Sequence, residues 1–402
     1  MNNKKSKMVL GLILVITSLF ASFQFVYAAE YKRIINAKVS VKTPTADYTY
    51  EEIEIVGDYA FTATIGREPV ADGLRVLDVS DASSIAVLPA IGETTNSSYS
   101  IDVYDDVAYL RVRYALGVWG IEAFNITDPT SPVEQGDFSA YDDVSDYRVI
   151  DDVLYVCNDT YLCSINVTDL DSISELDRIE LSEHGSVAGV YDDYVFVSGY
   201  VGAAGTTRTL EIVDASDPTS LFVSGTLEVG DYFVSNVLVE GDTLYASGRD
   251  YDLASPHGGT VKTVDISDTS NPSVLDTIVT DGISATGLYI SGNTLYTGAC
   301  ARGAVSIDVS TPSDLKPIGY WNEYQLDCGG EYYAQHPTYK NDATYGEVLY
   351  FVSINCGIAV MSIDSIEFEQ DIPGPMPALI LVFSACTIFL LSRKGLKFKI
   401  ER

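Results

Sequence analysis

The chain has 402 residues, enough to bury a large core, and its 57 aspartates and glutamates outnumber 24 lysines and arginines for a formal net charge of −33. That balance excludes a nucleic-acid partner, because phosphate contacts need a basic face. Val, Ile, Thr and 28 tyrosines are abundant while helix signals are scarce, which points to an all-β fold.

At the N-terminus, Lys4, Lys5 and Lys7 precede the apolar run Val9–Tyr27, which closes on small residues at Ala28 and Ala29. A charged region, an apolar core and a small-residue cut site predict a secretory signal peptide over residues 1–29.

From there a pattern repeats. An aromatic residue recurs at Phe61, Tyr109, Tyr155, Phe196, Tyr245, Tyr296 and Tyr350, at intervals of 41 to 54 residues. A turn pair precedes each one: Gly57-Asp58, Asp105-Asp106, Asp151-Asp152, Asp192-Asp193, Gly241-Asp242, Gly292-Asn293 and Gly346-Glu347. These residues tolerate positive φ, as a two-residue hairpin of the primed type requires. A third strand ends on Asp78, Asn125, Asn166, Asp214, Asp265 or Asp308, with Ser362 in the weakest copy, and a short turn leads to a fourth. The spacing therefore predicts a seven-bladed β-propeller of four-stranded antiparallel blades over residues 31–368. The last copy lacks a strong fourth strand, so residues 32–41 are expected to complete blade seven and close the ring. The phrase "LEIVDASDP" (210–218), echoed at Leu74, Val261 and Ala304, resembles the LVIVD repeat of secreted β-propellers. The resemblance implies the fold and leaves the activity open.

The strand-three acids and amides read as caps of the following turn. His184, His257 and His336 are too scattered for a zinc site, and no catalytic or phosphate-binding motif appears. No metal, cofactor or catalytic residue is therefore expected. Cys157 and Cys163 bracket a hairpin and predict a disulfide in an exported protein; Cys328 is expected to pair with Cys356 or Cys300. Asn96, Asn125, Asn158 and Asn166 are glycosylation sequons.

Unusual sequence gathers in the loops between strands two and three and between blades, which share one face. This face predicts a recognition surface built from Arg111, Arg113, Trp119, His257, Trp321, Tyr324, Tyr332, Tyr333 and His336. A lid of buried aromatics over residues 320–346 is the competing expectation.

The chain then runs through residues 369–375, with the motif Pro373-Gly374-Pro375, into the apolar span 376–391 and the basic tail 392–402. This order predicts a membrane anchor with the tail inside and the acidic propeller outside. It also resembles archaeal C-terminal sorting signals of the PGF-CTERM kind, read by archaeosortase-type transpeptidases. The expectation is a non-catalytic binding, adhesion or surface-structure module at the extracellular face of the membrane, its partner a surface protein or glycan. The alternative is a secreted hydrolase or lyase working in the central funnel. Deleting residues 372–402 is expected to move the protein from the membrane fraction to the medium, read by fractionation and immunoblot.

Overall fold

The computed structural model describes residues 32–33, 48–66, 72–88, 93–94, 97–115, 118–137, 144–158, 160–182, 184–200, 208–251, 258–280, 282, 284–299, 303–321, 334–353 and 357–363. The expected signal peptide, the PGP motif, the apolar residues 376–391 and the basic tail lie outside them. Among the described residues no helix is long and apolar enough to cross a membrane.

Seven antiparallel sheets follow one another along the chain. Their innermost strands are Tyr48–Val56, Ser97–Tyr104, Val144–Ile150, His184–Tyr191, Tyr232–Glu240, Thr286–Ser291 and Ala334–Asp342. Each of these strands packs against its counterpart in the next blade, and the last packs against the first. The result is the expected all-β, seven-bladed propeller, a closed ring around a central channel.

Hairpins inside the blades form where the turn pairs predicted them. The first residue of each pair has positive φ, from 46° at Asp192 to 70° at Gly346. Six pairs are two-residue connections; in blade seven the turn is Ala343–Tyr345 and Gly346 follows it, opposite Asp342. The strand-three acids and amides cap as expected. Asp78, Asn125, Asn166, Asp214, Asp265 and Asp308 each accept the N–H two residues on, at 2.9–3.0 Å. A second cap, absent from the sequence reading, repeats within the same turn at Asp81, Asp128, Asp169, Asp217 and Asp268.

Seven apolar clusters lie between adjacent blades, and the recurring aromatic anchors each one. Phe61 fills the seam between blades one and two, Tyr109 the next, and so on around the ring. Tyr350 completes the circuit by packing with Tyr50, Ile53 and Leu77 of blade one.

Polar clasps supplement this packing. Asp177 accepts the N–H of Leu221 and Asp276 that of Leu315, both at 2.7 Å, while Ser164 and Thr263 donate to the carbonyls of Pro218 and Pro312 at 2.6 Å. These are the same two bonds at the seams between blades three and four and between blades five and six.

One expectation needs correction and another is met only in part by the described residues. Of the segment expected to complete blade seven, Lys32–Arg33 pair in parallel with Gly319 and Tyr320 on the outer strand of blade six. Residues 34–41 lie outside the described residues. Blade seven shows three strands among the described residues, and it is joined to blade one through side chains. Asp342 accepts the N–H of Ala82 at 3.0 Å, Thr338 donates to the carbonyl of Ile53 at 2.9 Å, and Lys340 reaches Asp58 at 3.0 Å.

Cys157 and Cys163 are free, buried thiols, not a disulfide. Cys163 stands opposite Val156 and Cys157 opposite Leu162, so the two side chains leave the sheet on opposite faces. Cys163 packs towards blade two and Cys157 towards blade four. Cys300, Cys328 and Cys356 lie outside the described residues.

Asp342→Ala removes the shared acceptor of the Ala82, Thr344 and Tyr345 N–H groups. It is expected to cost on the order of 3 kcal/mol in denaturant unfolding.

Candidate functional site

Two polar constellations stand apart from the structural caps. The first lies in the central channel, where six of the seven innermost strands contribute to an open recess of about 140 Å³. Its polar lining includes Glu52, Glu54, Asp102, Arg148, Asn236 and Thr338.

The backbone explains how these side chains reach the axis. Every innermost strand carries a register shift, in most of them close to its start, for example between Tyr50 and Glu52, Val144 and Asp146, or Val234 and Asn236. A bulge of this kind bends the strand and re-aims the residue that follows.

Arg148 organises the wall. Its guanidinium lies 4.0 Å from Glu52 and 3.5 Å from Asp146 and donates to the Tyr147 carbonyl at 2.7 Å. Glu52 accepts the N–H of Ile101 at 3.1 Å and Asp102 accepts that of Val149 at 2.8 Å, so these acids also fasten blades one, two and three. Burial pushes the Asp102 carboxyl up to about 6, against the pull of Arg148 and the Val149 N–H. Burial, then the charges of Asp102 and Glu52, push Glu54 up to about 8, with Arg148 opposing.

The second constellation sits where strands two and three of blade two meet, on the face expected to bind. Arg113 pairs across the sheet with Trp119, and the Arg111 guanidinium lies 4.0 Å from the centre of the Trp119 ring, that of Arg113 at 5.9 Å. Tyr99 packs edge-on to Trp119 at 4.8 Å and accepts a long bond of 3.4 Å from Arg113. Arg111 is held in place by a 2.9 Å bond from its Nε to the Val144 carbonyl. This cation–π stack remains half-exposed.

Of the remaining expected site residues, Trp321 and His336 are described, and they lie in blades six and seven. Trp321 is 1% exposed and packs against Phe351, so it is a core residue of the seam between blades six and seven. His336 lies on the innermost strand of blade seven and not in a loop. His257, Tyr324, Tyr332 and Tyr333 lie outside the described residues, as does Asn96. Asn125 and Asn166 are sequons whose carboxamides are committed to turn caps, while Asn158 ends the second strand of blade three, half-buried. Among the described residues no group of three His, Cys, Asp or Glu side chains is placed to hold a metal ion.

Sequence reasoning does not single out the channel acids, which lie within strands. Glu52 and Glu54 alternate along "EEIEIV", Asp102 sits in "SIDVY" and Arg148 in "DYRVI". Charged residues mid-strand, away from the turns, were the available signal.

The LVIVD repeat profile matches residues 50–88 and 186–229, which carry most of blade one and of blade four. The computationally designed Ika8 protein has a similar solved structure, at 11% sequence identity and a TM-score of 0.51, covering 81% of this chain and 99% of that one. At that identity the likeness bears on the fold alone. No curated protein matches the chain. The protein is thus a seven-bladed β-propeller with LVIVD repeats.

Glu54 and Asp102 hold their protons more tightly folded than unfolded, so their contribution is favourable at low pH. It is lost as pH rises from the ordinary carboxylate range through about 6 for Asp102 and about 8 for Glu54. Glu54→Gln should therefore melt higher than the wild type at pH 8, by on the order of a few degrees, and match it at pH 5. Thermal scans at the two pH values check this.

Proposed function

We propose that the chain is a non-catalytic binding module displayed at the outer face of a cell membrane, its loop-bearing face turned towards a surface protein or glycan that presents anionic groups. The observation that carries this reading is the half-exposed stack of Arg111, Arg113, Trp119 and Tyr99. Two guanidinium groups concentrated on one indole, in a chain of net charge −33, form a local site of opposite sign. Indole and guanidinium groups are also the side chains that dominate binding hot spots. Export by residues 1–29 and retention by the apolar span 376–391 supply the display. The PGP motif and its resemblance to sorting signals support attachment at the surface, by the span itself or after processing.

One observation favours the alternative of a hydrolase or lyase in the funnel: two carboxyl groups of raised proton affinity, Glu54 and Asp102, line the channel. The readings separate by mutation. Chain lacking residues 372–402 is added to cells or to immobilised surface extract, and retention is measured by binding isotherm. Arg113→Glu with Trp119→Ala is expected to weaken retention at least tenfold while melting stays cooperative. Retention unchanged in that variant, with Asp102→Asn instead abolishing turnover of a surface polymer, would favour the enzyme.

A further inference from the structure

We propose that the loop-bearing face binds an acidic polysaccharide at two points, the Trp119 stack of blade two and a second cluster on blade five built from Arg249 and Tyr251. The proposal rests on the binding reading of the blade-two stack and adds to it a second site and a ligand class.

The second cluster repeats the first at an equivalent place. Arg113 follows the seam aromatic Tyr109 by four residues, and Arg249 follows Tyr245 by four, so both stand at the same level of strand two. Each guanidinium lies against a ring where strand two gives way to the loop before strand three. Arg113 shares Trp119 with Arg111, and Arg249 lies 4.9 Å from the centre of the Tyr251 ring. A further guanidinium, that of Arg208 from blade four, lies 4.7 Å from the same tyrosine ring.

The fold braces the blade-five cluster. Arg208 is 3% exposed and pairs with Asp231 at 3.3 Å, so its charge is compensated inside the protein. The Tyr251 N–H donates to the Asp231 carbonyl at 2.9 Å. Phe233 stands opposite Arg249, and a Cβ at Gly248 would collide with the Phe233 carbonyl, so glycine alone permits this approach. Asp250 leaves the strand on the other face from Arg249, where its charge acts on Lys262. What stays open is Tyr251, 43% exposed, and the half-exposed Arg249, which has no salt bridge among the described residues. Arg111 and Arg113 have none among them either. In a chain with 57 acids to 24 bases, these guanidinium groups are placed to receive a carboxylate from outside.

The ligand class follows from the chemistry. An aromatic ring offers flat apolar area to the C–H face of a pyranose, and a guanidinium at its rim pairs with a carboxylate through two parallel N–H donors. The acidic body repels a densely charged chain such as polyphosphate and disfavours widely spaced carboxylates far less. Blades two and five are three steps apart, as far as a ring of seven allows, so the clusters lie across the channel mouth from each other. One chain that reaches both gains by effective concentration, and a short oligosaccharide does not.

Hyaluronan, with one carboxylate for every two sugars, is the probe, titrated calorimetrically into the full chain as polymer and as tetrasaccharide. The expected result is a polymer affinity at least tenfold above that of the tetrasaccharide, which fills two sites per protein. Arg249→Gln with Tyr251→Ala should weaken the polymer at least tenfold and leave one tetrasaccharide site while melting stays cooperative. Should the double variant unfold, Arg249→Gln alone is expected to weaken the polymer and decides the matter. The proposal is overturned by no hyaluronan binding, by equal binding of neutral dextran, by tighter binding of polyphosphate, or by unchanged polymer affinity in the blade-five variants. In any of those cases, cell retention that still depends on Arg113 and Trp119 keeps the binding reading, and retention independent of both removes it.

Discussion

Everything in this molecule depends on one repeated contact, the aromatic side chain that the second strand of each blade drives into the seam with the next. Phe61, Tyr109, Tyr155, Phe196, Tyr245, Tyr296 and Tyr350 are all buried, one to a seam. A single four-stranded sheet cannot bury both of its faces, so each blade is incomplete until its neighbour covers that ring. Burying such a side chain contributes about 1.5–3 kcal/mol. Seven of them, with the valines, leucines and isoleucines around them, hold a ring that has no ends to cap.

Closing that ring places special demands on the last seam. Blade seven meets blade one through Tyr350 and its apolar neighbours and through Asp342, Lys340 and Thr338, three polar residues from one strand. Asp342 serves three backbone N–H groups at once, so its carboxyl is kept below the usual range despite the cost of burial. The same currency appears at the other seams, where an acid or hydroxyl of one blade takes or gives a backbone bond in the next. Much of the acidity of the chain is therefore structural. Turn caps and blade clasps consume aspartates whose clustering in sequence could otherwise be mistaken for a metal site.

Against that background the channel acids differ in kind. Glu52 and Asp102 still make clasps, but Glu54 makes none, and its proton affinity rises because burial and two like charges outweigh the opposing charge of Arg148. Residues held at such a cost are where a binding or catalytic role is sought. The Arg111–Trp119 stack on the rim is the complementary case, a cationic patch on an acidic body. Two side-chain clusters of opposite sign, one axial and one peripheral, are what the ring presents.

The sequence by itself determined the architecture, because its signals are local. Turn pairs such as Asp151-Asp152 dictate positive φ, alternation dictates strands, and a recurring aromatic with its spacing counts the blades. It also determined the role of Asp78, Asn125 and their counterparts, whose capping partner is only two residues away. Tertiary structure decided whatever depends on register or on distant neighbours. One residue of register puts Cys157 and Cys163 on opposite faces, and a buried seam claims Trp321, which the sequence offered to a recognition surface or to a lid of buried aromatics. Only the ring brings Glu54, Asp102 and Arg148, which are about 50 residues apart in succession, to one recess. A bulge in each innermost strand resets which face its later residues occupy, so strict alternation cannot be read through it.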